Sequence, residues 1–479
     1  MYSVVKCRIQ DRISRDFVRV IEMVTFIEVL NRAHAGSLLS VNEWDAKVIH
    51  KAANELALEH GLKGAYDPRN PINSDDGLAD EFFRAGFEMA VRTGMYCIDT
   101  RRVIKYEEQE LKEAVKERVT EITFGTPPDE VKVRQRRPEE RTDVVTAFGP
   151  MQSIDEDVYV PLHESIAQHK IIGILQTASL DTIYGVEVRA GTPIETLVGI
   201  YECALAREAT AGVGRPGMPL WGPDTSPTEH GLQGSFGIPR GFKATDVAVI
   251  LGITELKTSY SLLHKVAHLL NVGAPIRSFL GSMYGGYPGP IECVALTAIA
   301  GAILLIPTHQ STLPSASCFD ALNSCTTTRP VLWGNSIVEQ ALSKNMVKPV
   351  PSYMGPNAGP CTDMLLRESA LDALQAVASG CGLMLGIGAA RSQHKNHSTG
   401  LESKSTAEIA KAAIGIKRSD VNEIAKEILP KYEDKVKTPP KGNSFLECYN
   451  PRTLEPSKEW AAIYERVQAE FRDLGVPLT

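Results

Sequence analysis

The 479-residue chain predicts an α/β fold of the (β/α)₈ barrel class, with an N-terminal helical layer and a C-terminal helical tail. Three observations carry this. Short apolar runs alternate with helical patterns over about three hundred residues, eight times in one series. A mostly helical, charged third precedes them. No G-x-G-x-x-G turn favours the competing open, doubly wound sheet.

Composition sets the frame. At 43% hydrophobic and 23% charged residues the chain can bury a large core. A net charge of −7 gives no global field for nucleic acid or an anionic membrane, and neither is expected as a partner. The nine cysteines are scattered without a C-x-x-C, which reads as reduced thiols in a cytoplasm. No apolar run with signal-peptide or membrane-span character is evident.

In chain order, residues 1–22 form an extension with five basic residues, read as an over-long start or an extra helix. The helical layer covers 23–143. Within it Ser40-Val41-Asn42-Glu43 is a capping box opening a helix that stops at Gly61. Further helices are expected over 80–93 and 107–120. Pro127, Pro128 and the basic run 132–141 read as an irregular, solvated connection. The barrel covers 144–435. Its strand candidates are 171–177, 217–221, 246–251, 275–280, 300–306, 329–333, 348–353 and 382–388. Helices are expected over 192–209, 259–270, 291–299, 336–344 and 362–379. The tail, 436–479, closes with a helix over 457–474.

The most distinctive stretch is Gly214-Arg215-Pro216-Gly217-Met218-Pro219-Leu220-Trp221-Gly222-Pro223-Asp224-Thr225-Ser226. Its glycines and prolines flank a short apolar run, which reads as an entry turn, a brief strand and an abrupt exit. That arrangement aims Trp221 at the carboxyl end of a strand, where barrels meet ligands. With these boundaries Phe279, Trp333 and Tyr353 also fall near strand ends. Asp224 follows Trp221 either as a counter-charge to a cation or as a turn cap. His264 and His268 have i, i+4 spacing but no third ligand, so no metal site is expected. Cys361 reads as a packing cysteine.

The same stretch resembles the monomethylamine:corrinoid methyltransferases, in which Gly-Arg-Pro-Gly-Met leads to pyrrolysine, then Gly-Pro, an acid and Thr-Ser. The likeness recurs in order at Arg84-Ala85-Gly86-Phe87-Glu88-Met89, Tyr96-Cys97-Ile98-Asp99-Thr100, Glu255-Leu256-Lys257 and Gly285-Gly286-Tyr287. It continues at Ala358-Gly359-Pro360-Cys361-Thr362 and Phe445-Leu446-Glu447-Cys448-Tyr449. The resemblance puts Trp221 at the pyrrolysine position, Phe279 at the catalytic glutamate, and Tyr353 and Gly355 at a polar glutamine–tyrosine pair. The chain then looks like a pyrrolysine-free homologue.

The resemblance implies methyl transfer to the cobalt of a small, separate corrinoid protein, and a homo-oligomer, possibly a hexamer. The chain has no Asp-x-His-x-x-Gly loop of its own, so the cobalamin is expected on the partner. Aromatic side chains converging on one cavity suit a cation, with roughly 0.5–2 kcal/mol per ring face. The expected substrate is therefore a methylated amine, quaternary in preference. The alternatives are a demethylase of a neutral methoxy or methylthio compound, a binder without turnover, and a methylamine enzyme that works without pyrrolysine.

Overall fold

The protein is described here by a computed structural model covering residues 24–478; the 1–22 extension lies outside the described residues. Eight parallel strands build the barrel: β1 (Val145–Phe148), β2 (Ile174–Gln176), β3 (Leu220–Gly222), β4 (Val247–Leu251), β5 (Ile276–Tyr284), β6 (Leu313–Asp320), β7 (Pro351–Tyr353) and β8 (Leu383–Leu385). Their hydrogen-bonded order is β6-β5-β4-β3-β2-β1-β8-β7, so each strand lies beside its neighbour in sequence. β6 and β7 face each other across the remaining gap without ladder hydrogen bonds, and the barrel is nearly closed. A helix follows every strand on the outside, from Glu156–Ala167 after β1 to Gly400–Ala412 after β8. The expected fold class is the observed one.

Two strand expectations are corrected. Residues 300–306 lie inside the helix Ile291–His309, all of which is buried. Wedged between the barrel wall and the N-terminal helix Asp76–Thr93, this helix has no polar face. Its continuous apolar run therefore carries no helical period. It is long and apolar enough to cross a membrane, yet it is core throughout. Residues 329–333 open the helix Arg329–Asn345, where a proline in the first turn gives up no hydrogen bond. The strands that complete the barrel are β1 and β6. β6 reads Leu-Pro-Ser-Ala-Ser-Cys-Phe-Asp, and its small hydroxyl residues hide a strand that is almost fully buried.

The helical layer packs against one flank of the barrel. Asp76–Thr93 crosses Ile291–His309 so closely that a Cβ on Gly86 would sit 2.5 Å from Ile299. Only glycine permits that approach. The connection expected to be irregular contains a hairpin, Glu121–Phe124 with Val131–Arg134. Lys132 and Arg134 face solvent beside Glu121, while Phe124 and Val133 turn inward. The inward pair joins Ala147, Ile174, Val247, Leu313 and Leu383 in one apolar cluster at the strands' N-terminal ends. The lower barrel is thus plugged and filled. Arg136, from the same basic run, is fully buried, and its guanidinium donates to the carbonyls of Thr142, Val377, Cys381 and Glu140. At the other terminus, Lys458–Asp473 docks on the helices after β7 and β8, with Trp460 Nε1 donating to Thr399 Oγ1 at 3.0 Å.

Candidate functional site

Above the filled lower barrel lies a cavity of about 310 Å³, open toward the carboxyl ends of the strands. Strand periodicity builds it. Along β5, alternate residues Arg277, Phe279, Gly281 and Met283 all line the cavity, since successive side chains point to opposite faces. β3 contributes Trp221, β7 Tyr353, β2 Gln176 and β6 Phe319, while Asp224 comes from the turn after β3.

Trp221, Phe279, Tyr353 and Asp224 are therefore brought together. The Phe279 and Tyr353 rings are tilted at 49° with centroids 5.6 Å apart, and the Phe319 ring centre lies 6.5 Å from that of Tyr353. Burial pushes the Tyr353 phenol up to about 12. Gly355 stands just behind this ring, where a Cβ would come within 3.2 Å of the Tyr353 hydroxyl. Trp333 is not part of the group. It sits on the helix Arg329–Asn345, buried against Tyr66 at 5.3 Å and Phe82 at 5.7 Å in the interface with the N-terminal layer. Its misplacement follows from reading the start of that helix as a strand.

The residue that sequence reasoning missed is Arg277. It is 2% exposed, and its guanidinium carbon lies 4.9 Å from the Trp221 ring centre and 5.0 Å from that of Phe279. Its Nε is buried without a hydrogen-bond partner, and no carboxylate of the described residues reaches ion-pair distance. Desolvation lowers its pKa to about 9, with Tyr353 and Asp224 acting at longer range in the opposite direction, so it remains a cation at neutral pH. The signal was present. Arg277 is the one charged residue of an apolar strand, two positions before Phe279 and hence on its face.

Asp224 carries the one carboxyl among the cavity-lining residues. Gln176 Nε2 donates to its Oδ2 at 3.3 Å, and its own N–H donates to Glu202 Oε1 at 2.8 Å. Glu202 also accepts from Thr225 N–H at 2.9 Å and from the Thr177 hydroxyl. Burial, and then the neighbouring Glu202 carboxylate, raise the Asp224 carboxyl well above the ordinary range. Burial also raises the Glu202 carboxyl, opposed by its hydrogen bonds from Thr177 and Thr225.

The other candidates serve the frame. Glu255 Oε1 accepts from Met283 N–H at 2.8 Å, and the Glu255 carbonyl accepts from Trp44 Nε1 at 2.9 Å. Lys257 forms a buried 2.7 Å ion pair with Asp45. Together they tie the helical layer to the cavity rim. His268 Nε2 contacts the Phe236 carbonyl at 2.8 Å, and no cluster able to hold a metal occurs among the described residues. Cys361 precedes the helix Asp363–Ala378, and its contact with Cys448 lowers its thiol pKa.

Comparison with known proteins agrees with this architecture. The family model "Monomethylamine methyltransferase MtmB" matches residues 24–476. The monomethylamine methyltransferase MtmB of Methanosarcina mazei is 30% identical over 461 residues, covering 93% of this chain and 97% of its own. MtmB3 of Methanosarcina barkeri is likewise 30% identical, with the same coverage. The crystal structure of the Methanosarcina barkeri enzyme superposes with a TM-score of 0.90 at 28% identity, covering 94% of this chain and 98% of its own. The structure of a hydroxylamine complex of MtmB gives the same TM-score. The chain belongs to the monomethylamine methyltransferase MtmB family.

Proposed function

We propose that this chain transfers a methyl group from a methylated amine, quaternary in preference, to the Co(I) centre of a corrinoid carried by a separate protein. The observation that supports it most is the cavity's position and lining. A mostly apolar pocket with four aromatic side chains in its lining opens at the barrel face where such enzymes work, in a chain whose relatives are named monomethylamine methyltransferases.

At about 30 Å³ per water-sized group, the cavity admits roughly ten non-hydrogen atoms. That suits a small methylated amine and is far too little for a corrin ring, so the cofactor fits only as a group presented at the rim. When presented, the corrinoid supplies a Co(I) nucleophile able to accept the methyl group. The chain's own residues do the remainder. Phe319 and Tyr353 offer ring faces to an onium and, with Phe279 and Met283, keep water from the methyl group. Fixing the substrate methyl-outward converts a chance encounter into a positioned one.

The pyrrolysine-free reading of Trp221 fits this division. A quaternary nitrogen leaves as a neutral amine, taking the electron pair of the broken carbon–nitrogen bond, and needs neither an imine nor a proton. The apolar walls favour one second reading, a neutral methoxy or methylthio substrate.

The test is spectroscopic. The protein, cob(I)alamin (free or on a corrinoid protein) and one methyl donor at a time are mixed anaerobically, and methylcobalamin absorbance is followed. A quaternary amine is expected to give signal where methylamine does not. Signal only from a methoxy compound supports the second reading, and a flat trace from folded protein across the panel contradicts both.

A further inference from the structure

Building on the methyl-transfer reading, we infer that Arg277 is a carboxylate anchor, and that the cavity takes a methylated ammonium compound carrying its own carboxylate. The argument begins with an imbalance of charge. A guanidinium has five N–H donors in a planar fork that matches a carboxylate. Arg277 is buried, its Nε is unpartnered, and no acid among the described residues lies within ion-pair reach. A buried, unpaired charge is costly, and a fold holding it only for stability would gain by replacing it.

Its neighbours set what it can bind. Trp221 and Phe279 each present a ring to the guanidinium, at 4.9 and 5.0 Å. These contacts hold the fork in place without using its hydrogen bonds. They also commit ring faces that an incoming onium would otherwise stack on. A bare ammonium entering the cavity therefore meets a resident cation at its floor, with no carboxylate of the described residues at ion-pair distance to cancel that charge. A zwitterion meets a different site. Its carboxylate neutralises Arg277 at the floor, and its ammonium lies nearer the mouth, beside Phe319, Tyr353 and Met283. The methyl groups then point toward the rim, the only side from which a cofactor too large for the cavity can approach.

Position along β5 supports this orientation. Arg277 precedes Phe279, Gly281 and Met283 on the same inner face, so it is the deepest of the four. At Gly281 the absence of a side chain keeps space open above Phe279, in the path between floor and mouth.

Calorimetry on the full chain tests the anchor without any corrinoid. The probes are trimethylglycine, its homologue with three carbons between nitrogen and carboxylate, choline, and tetramethylammonium. The wild type is expected to bind one of the two zwitterions at least about 10-fold tighter than choline, the gain of a charge-assisted pair. Arg277→Met should abolish that preference, and Arg277→Lys should restore part of it, with melting curves checking that both variants fold. Equal binding of choline or tetramethylammonium by the wild type, no heat from any probe, or unaltered zwitterion binding by Arg277→Met would overturn the anchor.

Methyl transfer to cob(I)alamin, measured in parallel, separates the two claims. Transfer from a carboxylate-free amine that survives Arg277→Met removes the anchor and leaves the methyl-transfer reading. Arg277-dependent binding without transfer from any bound probe does the reverse.

Discussion

The Arg277 guanidinium lies 4.9 Å from the centre of the Trp221 ring, so the side chain at the barrel's most distinctive turn faces a resident cation. The contact joins β3 to β5 across the cavity floor, and it makes the two residues energetically dependent on each other. Trp221 screens one side of a charge that has no counter-ion, while Arg277 occupies a face that would otherwise be free.

Trp221→Ala removes both a cavity wall and a member of the lower-barrel cluster. A loss of about 3–5 kcal/mol is expected from truncating a buried tryptophan, together with loss of ligand binding. Trp221→Phe keeps a ring against Arg277 and should retain most of the stability. Chemical denaturation of the two variants beside wild type checks this.

Arg277→Met should give a melting temperature equal to or above that of the wild type. The side chain is buried without an ion pair, and removing an unpaired charge relieves more than the lost ring contacts contribute. A large drop in melting temperature would instead make Arg277 a structural member of the core.

Gly281→Ala should leave the fold intact and weaken binding. Its Cβ would meet Met283 at 3.4 Å, Thr254 at 3.6 Å and Phe279 at 3.8 Å, all ordinary contacts. The added methyl lies in the cavity. An unchanged melting curve with a several-fold higher KM is expected from thermal denaturation and methyl-transfer kinetics.

Acid sensitivity should trace in part to His309. It is buried on the helix Ile291–His309 with Nε2 3.0 Å from Thr258 Oγ1, and burial lowers its pKa to about 3. Between pH 6.5 and 3 the unfolded chain binds a proton that the folded chain refuses, so this residue's effect is to reduce stability as pH falls through that window. At pH 5 the cost is about 2 kcal/mol, at 1.4 kcal/mol per pH unit below 6.5. His309→Gln should recover that amount between pH 8 and pH 5, measured as the difference from wild type in urea unfolding.

Arg136→Met should destabilise strongly, because four carbonyls lose their donor inside the protein. About 3 kcal/mol or more is expected from unfolding measurements.

Much of this was legible beforehand, and the failures have physical causes. The barrel class followed from alternation, since six of the eight strand candidates overlap true strands. The two that failed lie where the helical layer covers the barrel's outer helices. There Ile291–His309 is buried on every side, and periodicity vanishes. Trp333 falls outside the cavity because residues 329–333 open the helix Arg329–Asn345 instead of a strand. The basic run around Arg136 looked solvated because composition cannot reveal a backbone cage. Trp221, Phe279, Tyr353 and Asp224 share one cavity, in keeping with turn residues and strand ends marking a barrel mouth. Arg277 carries no motif of its own, and only its place two residues before Phe279 on one strand face marks it. Asp224's raised pKa comes from burial first and then from Glu202, neither of which its local sequence shows.

The most direct test of the central claim is a single-turnover methyl transfer to cob(I)alamin, run anaerobically with wild type and Trp221→Phe against a panel of methylated amines, zwitterions included. The account predicts methylcobalamin formation with the wild type from at least one quaternary compound, slowed but not abolished in Trp221→Phe. Absence of methylcobalamin from every donor, in folded wild-type protein supplied with a corrinoid protein, would contradict it.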